Sequence, residues 1–258
     1  MAAMVIIRDH SVAPAGQISM ISLHLITANQ PVMIQRNEDE SMKRTAFFVM
    51  YFLSPVVPIV LYLRSVGTGL DSYSLSVALG ITAFVLLCNQ FILASRPSLA
   101  VAALGARKLV TMHSTVPIFI LLIAGTHKVL KELNGFSENT TQALFGAATW
   151  WLFAVVIISA VLFMANTFWF KLAVVKNLRT WVYATFKLTY KGARLLHNMT
   201  VLAGILIMVH VLLASSGNFA ANPAGIAWMC GWMLLSLAMY VRYRVRGRPM
   251  PTVAARSI

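Results

Sequence analysis

Residues 109–130 read LVTMHSTVPIFILLIAGTHKVL, and residues 195–214 read LLHNMTVLAGILIMVHVLLA. Each stretch is long and apolar enough to cross a ~30 Å hydrocarbon core as a helix. Each also carries two histidines, His113 and His127 in the first, His197 and His210 in the second. At ~1.5 Å rise per residue, each pair spans roughly 20 Å, which places one histidine toward each membrane face. Two helices furnished in this way hold the donors for two stacked metal centres.

The rest of the chain fits the same setting. Of 258 residues, 59% are hydrophobic and only 11% charged, with mean hydropathy +0.77. That composition describes a polytopic membrane protein rather than an ordinary globular domain. Six spans are expected, near 46–63, 75–94, 109–130, 143–168, 195–214 and 224–241. These lengths suit helices, not the short alternating strands of a barrel. The expected fold class is therefore an all-α bundle of six transmembrane helices occupying 46–241. A cytoplasmic segment, 1–45, precedes it and a basic tail, 242–258, follows.

A net charge of +14 suggests nucleic acid until the positions are read. Of the 21 Lys and Arg residues, all but Arg64, Lys128 and Lys131 fall on one side if the N-terminus is inside. This is the positive-inside pattern, and it predicts N-in, C-in topology without nucleic-acid binding. Residues 1–17 contain Asp9, His10 and Pro14 and do not read as a cleaved signal peptide. Segment 17–28, with His24, reads as a short interfacial helix, and 37–40 as a solvated loop. The 169–194 connection mixes Trp181, Tyr183, Phe186 and Tyr190 with six basic residues. It reads as a helix on the membrane surface meeting anionic lipid, with partner docking as the alternative. Cys88 and Cys230 lie in apolar stretches and read as small packing residues, without disulfide or iron–sulfur spacing. The Asn139-Thr140-Thr141 sequon falls in an expected external loop.

With the N-terminus inside, spans three and five run in the same direction. His113 and His197 are then the inner members, His127 and His210 the outer. Neutral imidazole donates one nitrogen to iron and leaves the other for tuning, so a pair of bis-histidine haems is the obvious candidate. Fourteen residues return His127 to within about 40° of the His113 face. Thirteen residues leave His197 and His210 roughly 140° apart on an ideal helix. Overwinding, a bend at Gly204 or approach from opposite flanks would reconcile them. Pro117 conflicts with the His113 carbonyl four residues earlier and would help pose that ligand. Arg107, Lys108, Lys191 and Arg194 flank the inner histidines, while Lys128 and Lys131 flank His127, as candidate partners for haem propionates. Phe119 is a candidate for the space between haems, or for lipid-facing packing.

The six spans with His113 and His127 fourteen apart in the third, and His197 and His210 thirteen apart in the fifth, resemble the transmembrane domain of the ferric reductase and NADPH oxidase superfamily. The resemblance covers roughly 46–241. It implies one haem on His113 and His197, another on His127 and His210, and electron flow from cytoplasmic reduced flavin to an external acceptor. Family enzymes commonly continue into flavin- and nicotinamide-binding domains. Here no GxGxxG occurs, and about 17 residues follow the last expected span. A separate cytoplasmic flavoprotein or NAD(P)H reductase subunit is therefore expected, with this chain the electron-transfer subunit of an oxidoreductase and no flavin of its own. Bacterial members that use separate partners make an inner or plasma membrane the expected location.

Two other readings stay open. One is a quinone-linked cytochrome b of a respiratory complex, although its histidine pairs would typically fall on spans two and four. The other is a cofactor-free transporter or proton channel using the histidines as relays. The absence of Asp and Glu from every expected span weighs against it.

Overall fold

The computed structural model describes residues 41–67, 69, 71–164, 172–214 and 220–246. The expected interfacial helix at 17–28, His10, His24, the expected loop at 37–40 and residues 247–258 lie outside these. The described residues are helical, with no strand among them. Six helical spans are long and apolar enough to cross a membrane. They are α1 Ser41–Val66, α2 Ser72–Ala94, α3 Ser98–Leu133, α4 Thr141–Phe163, the joined pair α6–α7 over Tyr190–Leu213, and α8 Pro223–Arg246. Within that pair, α6 is Tyr190–Asn198 and α7 is Thr200–Leu213, while α5, Ala173–Phe186, occupies the long connection. The chain is an all-helical, multi-pass membrane protein.

Local chemistry explains most boundaries. Asp71 caps α2 by accepting the Ser74 N–H at 2.7 Å, and Thr140 caps α4 by accepting from Ala143. Gly67 closes α1 in the left-handed conformation, its N–H reaching the Leu63 carbonyl. Three boundaries differ from the hydropathy reading. The 95–108 stretch is not a loop but helical from Ser98, broken at Gly105, whose φ of 73° suits a residue without Cβ. At its other end α3 extends to Leu133, so Glu132 belongs to the same helix, beyond the expected span and beside the exposed Lys128. Arg242, Arg244 and Arg246 belong to α8 rather than to a separate tail. The first two errors share a cause, since hydropathy falls off at the interface before backbone hydrogen bonding stops.

α2 is the central helix. It packs against α1, α3 and α8, and it buries Phe84, Val85, Cys88 and Leu93. The buried amide of Asn89 ties three helices together. It donates to the Tyr51 carbonyl at 2.9 Å and to Ser54 Oγ at 2.8 Å, and accepts from Trp232 Nε1 at 2.9 Å. On the other side, α4 packs against α3, α6 and α7. The outward faces keep large apolar residues such as Phe52, Leu122, Ile158 and Leu234 exposed, as lipid-facing helices do. α5 buries no residue and carries exposed Trp181 and Tyr183, in keeping with a surface helix.

Candidate functional site

α3 and the α6–α7 pair stand on opposite sides of a cavity of about 1070 Å³, walled on the remaining sides by α2 and α4. All four intramembrane histidines line it. His113 faces His197 with ring centroids 6.0 Å apart and planes at 87°. His127 faces His210 at 6.4 Å and 80°. The pairs are trans-helix, as expected from parallel spans: the two histidines nearer the N-terminal ends of their spans meet, as do the two nearer the C-terminal ends, termed inner and outer after the expected N-in orientation. Metal–nitrogen bonds of roughly 2 Å, plus about 1 Å from each nitrogen to its ring centre, put two imidazoles across one metal ion about 6 Å apart. Both pairs have that separation.

Part of the phase offset of the fifth span is taken up at its joint. Met199 separates α6 from α7 with φ −66° and ψ −9°, and its N–H reaches back to the Leu196 carbonyl at 2.9 Å. This three-residue bond is a tightly wound turn, which rotates later residues further than α-helical winding does. The Thr200 hydroxyl donates to the His197 carbonyl across the joint. Gly204 is not a bend; it lies inside α7, against Phe91 of α2. Pro117 likewise lies within α3 without breaking it, although the His113 carbonyl loses its usual N–H partner there.

The two levels differ in their second ring nitrogen. His127 Nδ1 lies 2.6 Å from the Ser76 carbonyl, and His210 Nδ1 lies 2.6 Å from the Gln142 carbonyl. A carbonyl only accepts, so each Nδ1 carries the proton and each Nε2 keeps its lone pair. Protonation at Nδ1 with a free Nε2 is the form a metal-ligating imidazole takes. The inner histidines lack this support. Nδ1 of His113 and Nδ1 of His197 are buried without a hydrogen-bond partner among the described residues, and so is Oε1 of Gln90 on the same cavity wall.

The donor set discriminates between kinds of metal centre. Among the described residues no group of three or more His, Cys, Asp or Glu is placed to hold an ion. Sites built from protein ligands alone use three or four donors. Two opposed imidazoles suit a metal that brings its own planar ligand, as haem iron does. The residues present fit that group.

Of the candidate propionate partners, Arg107 lines one end of the cavity and Lys128 and Lys131 the other. Lys108, Lys191 and Arg194 are exposed and do not line it. Lys108 is one residue, about 100°, around the helix from Arg107. Lys128 is held by Glu132 and Glu138. Lys131 lies 3.8 Å from the centroid of Tyr73 and 4.3 Å from that of Phe136. Phe119 is exposed on the outside of α3, whereas Phe84 and Phe153 face the cavity. Sequence reading also passed over Gly80 and Gly146, which lie directly against the outer histidines. Their signal was visible, because glycine inside a helix is costly and such a position has a packing or functional reason.

Comparison of the chain with models of protein families, with curated proteins and with solved structures gave no match.

Proposed function

We propose that this chain is a dihaem b-type cytochrome subunit that relays electrons across a membrane. The donor would be a separate cytoplasmic flavoprotein or NAD(P)H reductase subunit and the acceptor would lie outside. The bacterial inner or plasma membrane is the proposed site, with both termini cytoplasmic. The observation that carries this reading is the stacking of two opposed histidine pairs, at 6.0 and 6.4 Å, in one elongated cavity.

His113 with His197 and His127 with His210 would each hold one haem, which would supply one-electron redox chemistry when bound. The chain does the rest. α3 and α6–α7 present the imidazoles from opposite sides, and the outer ones are locked as Nδ1–H tautomers. The walls from α2 and α4 are largely apolar, while Arg107 at one end and Lys131 at the other offer charge to carboxylates at the membrane faces; Lys128 is already paired with Glu132 and Glu138. Most of the basic residues lie on the proposed cytoplasmic side, where they would attract an acidic reductase.

The test is the dithionite-reduced absorbance spectrum of purified protein, with haem quantified per chain. A b-type spectrum with a haem-to-protein ratio near two supports the reading. Protein without b-type bands, even after haem supplementation during expression, sinks it in favour of the cofactor-free channel.

A further inference from the structure

In an α-helix each side chain leans toward the N-terminus and covers the turn below it. The carbonyl of residue i therefore lies under the side chain near i+4, and a glycine at i+4 uncovers it. The outer histidines use this relationship twice. His127 meets the carbonyl of Ser76, four residues before Gly80, and His210 meets that of Gln142, four residues before Gly146. A Cβ on Gly80 would stand 2.9 Å from His127 Cε1 and Nδ1. One on Gly146 would stand 2.8 Å from His210 Cε1 and 2.9 Å from its Nδ1. Neither ring has room to remain beside an alanine. A third pair repeats the pattern more loosely. Trp150 Nε1 donates to the Leu121 carbonyl at 3.2 Å, and a Cβ on Gly125, four residues on, would lie at 3.5 Å.

We propose that Gly80 and Gly146 are positioning residues: each opens a notch in its helix through which a backbone carbonyl takes the Nδ1–H of an outer histidine, and these notches set the outer metal centre apart from the inner one. This rests on the dihaem reading and deepens it. A hydrogen bond from Nδ1–H to a carbonyl makes the imidazole a stronger donor, which favours the oxidised metal. His113 and His197 have no such bond among the described residues. The outer centre consequently has the lower midpoint potential and the more firmly oriented ligands, though both levels are built from the same two residue types.

The test is a spectroelectrochemical titration of the purified, haem-loaded full chain, with electron paramagnetic resonance of the oxidised form. Parent protein is compared with Gly80→Ala, Gly146→Ala and the control Gly204→Ala, whose added Cβ would press on Phe91 at 3.2 Å, away from the histidine notches. The expected result has three parts. The lower-potential component moves upward in both notch variants or is lost from them, its low-spin signal shifts, and the higher-potential component stays in place. That retained component reports that the bundle has folded. The inference is overturned if both notch variants titrate like the parent, if the higher component moves instead, or if Gly204→Ala produces the same shift. A parent containing two haems with unmoved variants refutes the notches alone, whereas a parent that binds no haem refutes the dihaem reading and the notches together.

Discussion

The Nδ1 of His127 lies 2.6 Å from the carbonyl of Ser76, a residue 51 positions earlier on the neighbouring helix. His210 makes the same contact with Gln142, 68 positions earlier. Each outer histidine is therefore held by a second helix, with α2 serving α3 and α4 serving α7. This scaffolding confines the consequences of substitution to one level of the site.

Pairing across helices makes the four histidines fall into two groups. His127→Leu and His210→Leu should each remove the same haem, lowering the haem-to-protein ratio from near two to about one, and combining them should remove no more. His113→Leu and His197→Leu should do likewise for the other haem. Haem quantification of the four single and two double variants checks this; a double such as His127→Leu/His210→Leu that loses both haems refutes the pairing.

Asn89 is 2% exposed and joins α1, α2 and α8 through three hydrogen bonds. Asn89→Leu strands the Trp232 N–H, while the Ser54 hydroxyl keeps its bond to the Tyr51 carbonyl. A loss of about 1–2 kcal/mol is expected, because a buried group left unpaired costs ~1–3 kcal/mol. Thermal unfolding in detergent measures it, and a melting temperature equal to the parent's would contradict it.

The outer mouth is fastened by Lys131, which stands over Tyr73 and Phe136, themselves stacked 5.2 Å apart. Lys131→Met should lower stability by about 1 kcal/mol, the scale of a cation–π contact, while Lys131→Arg largely preserves it. The same unfolding assay separates the two variants.

Asp71 adds a pH dependence at the start of α2. The Ser74 N–H, donating to its carboxylate, holds the Asp71 carboxyl below its usual range. A native value lowered below the unfolded ~3.9 means stabilisation that is present above that pH and is lost as pH falls through the native value. Asp71→Ala should therefore melt below the parent near neutrality, and the gap should close in acid. Asp71→Asn, an equally good cap, should show little gap near neutrality. A gap that does not vary with pH would show that the carboxylate charge is irrelevant.

Topology can be read directly with fusions. A fluorescent protein at the C-terminus should fluoresce, and alkaline phosphatase placed after Asn139 should be active, as N-in, C-in orientation requires. The opposite pattern would invert the inner and outer levels.

The span count was legible because hydropathy is a local property, and so was the level of each histidine, because rise per residue is constant. What stayed hidden was azimuth. Lys108 and Arg107 are neighbours in sequence, yet only Arg107 reaches the cavity. For Phe119 the sequence leaves cavity and lipid equally open, and the structure turns it outward. Each depends on where a neighbouring helix lies, which periodicity within one helix does not specify.

His113, His127, His197 and His210 were placed by sequence alone on two parallel spans at two depths, and the class of membrane bundle followed from the apolar runs around them. Tertiary structure decided that they meet. It set a tight joint at Met199 between the two histidines of the fifth span, and set Gly80 and Gly146 against the outer rings so that two distant carbonyls are exposed to them. The division has a physical cause. Depth in the bilayer accumulates residue by residue along one helix, whereas contact requires two helices to be in phase at the same depth, and only their packing sets that phase.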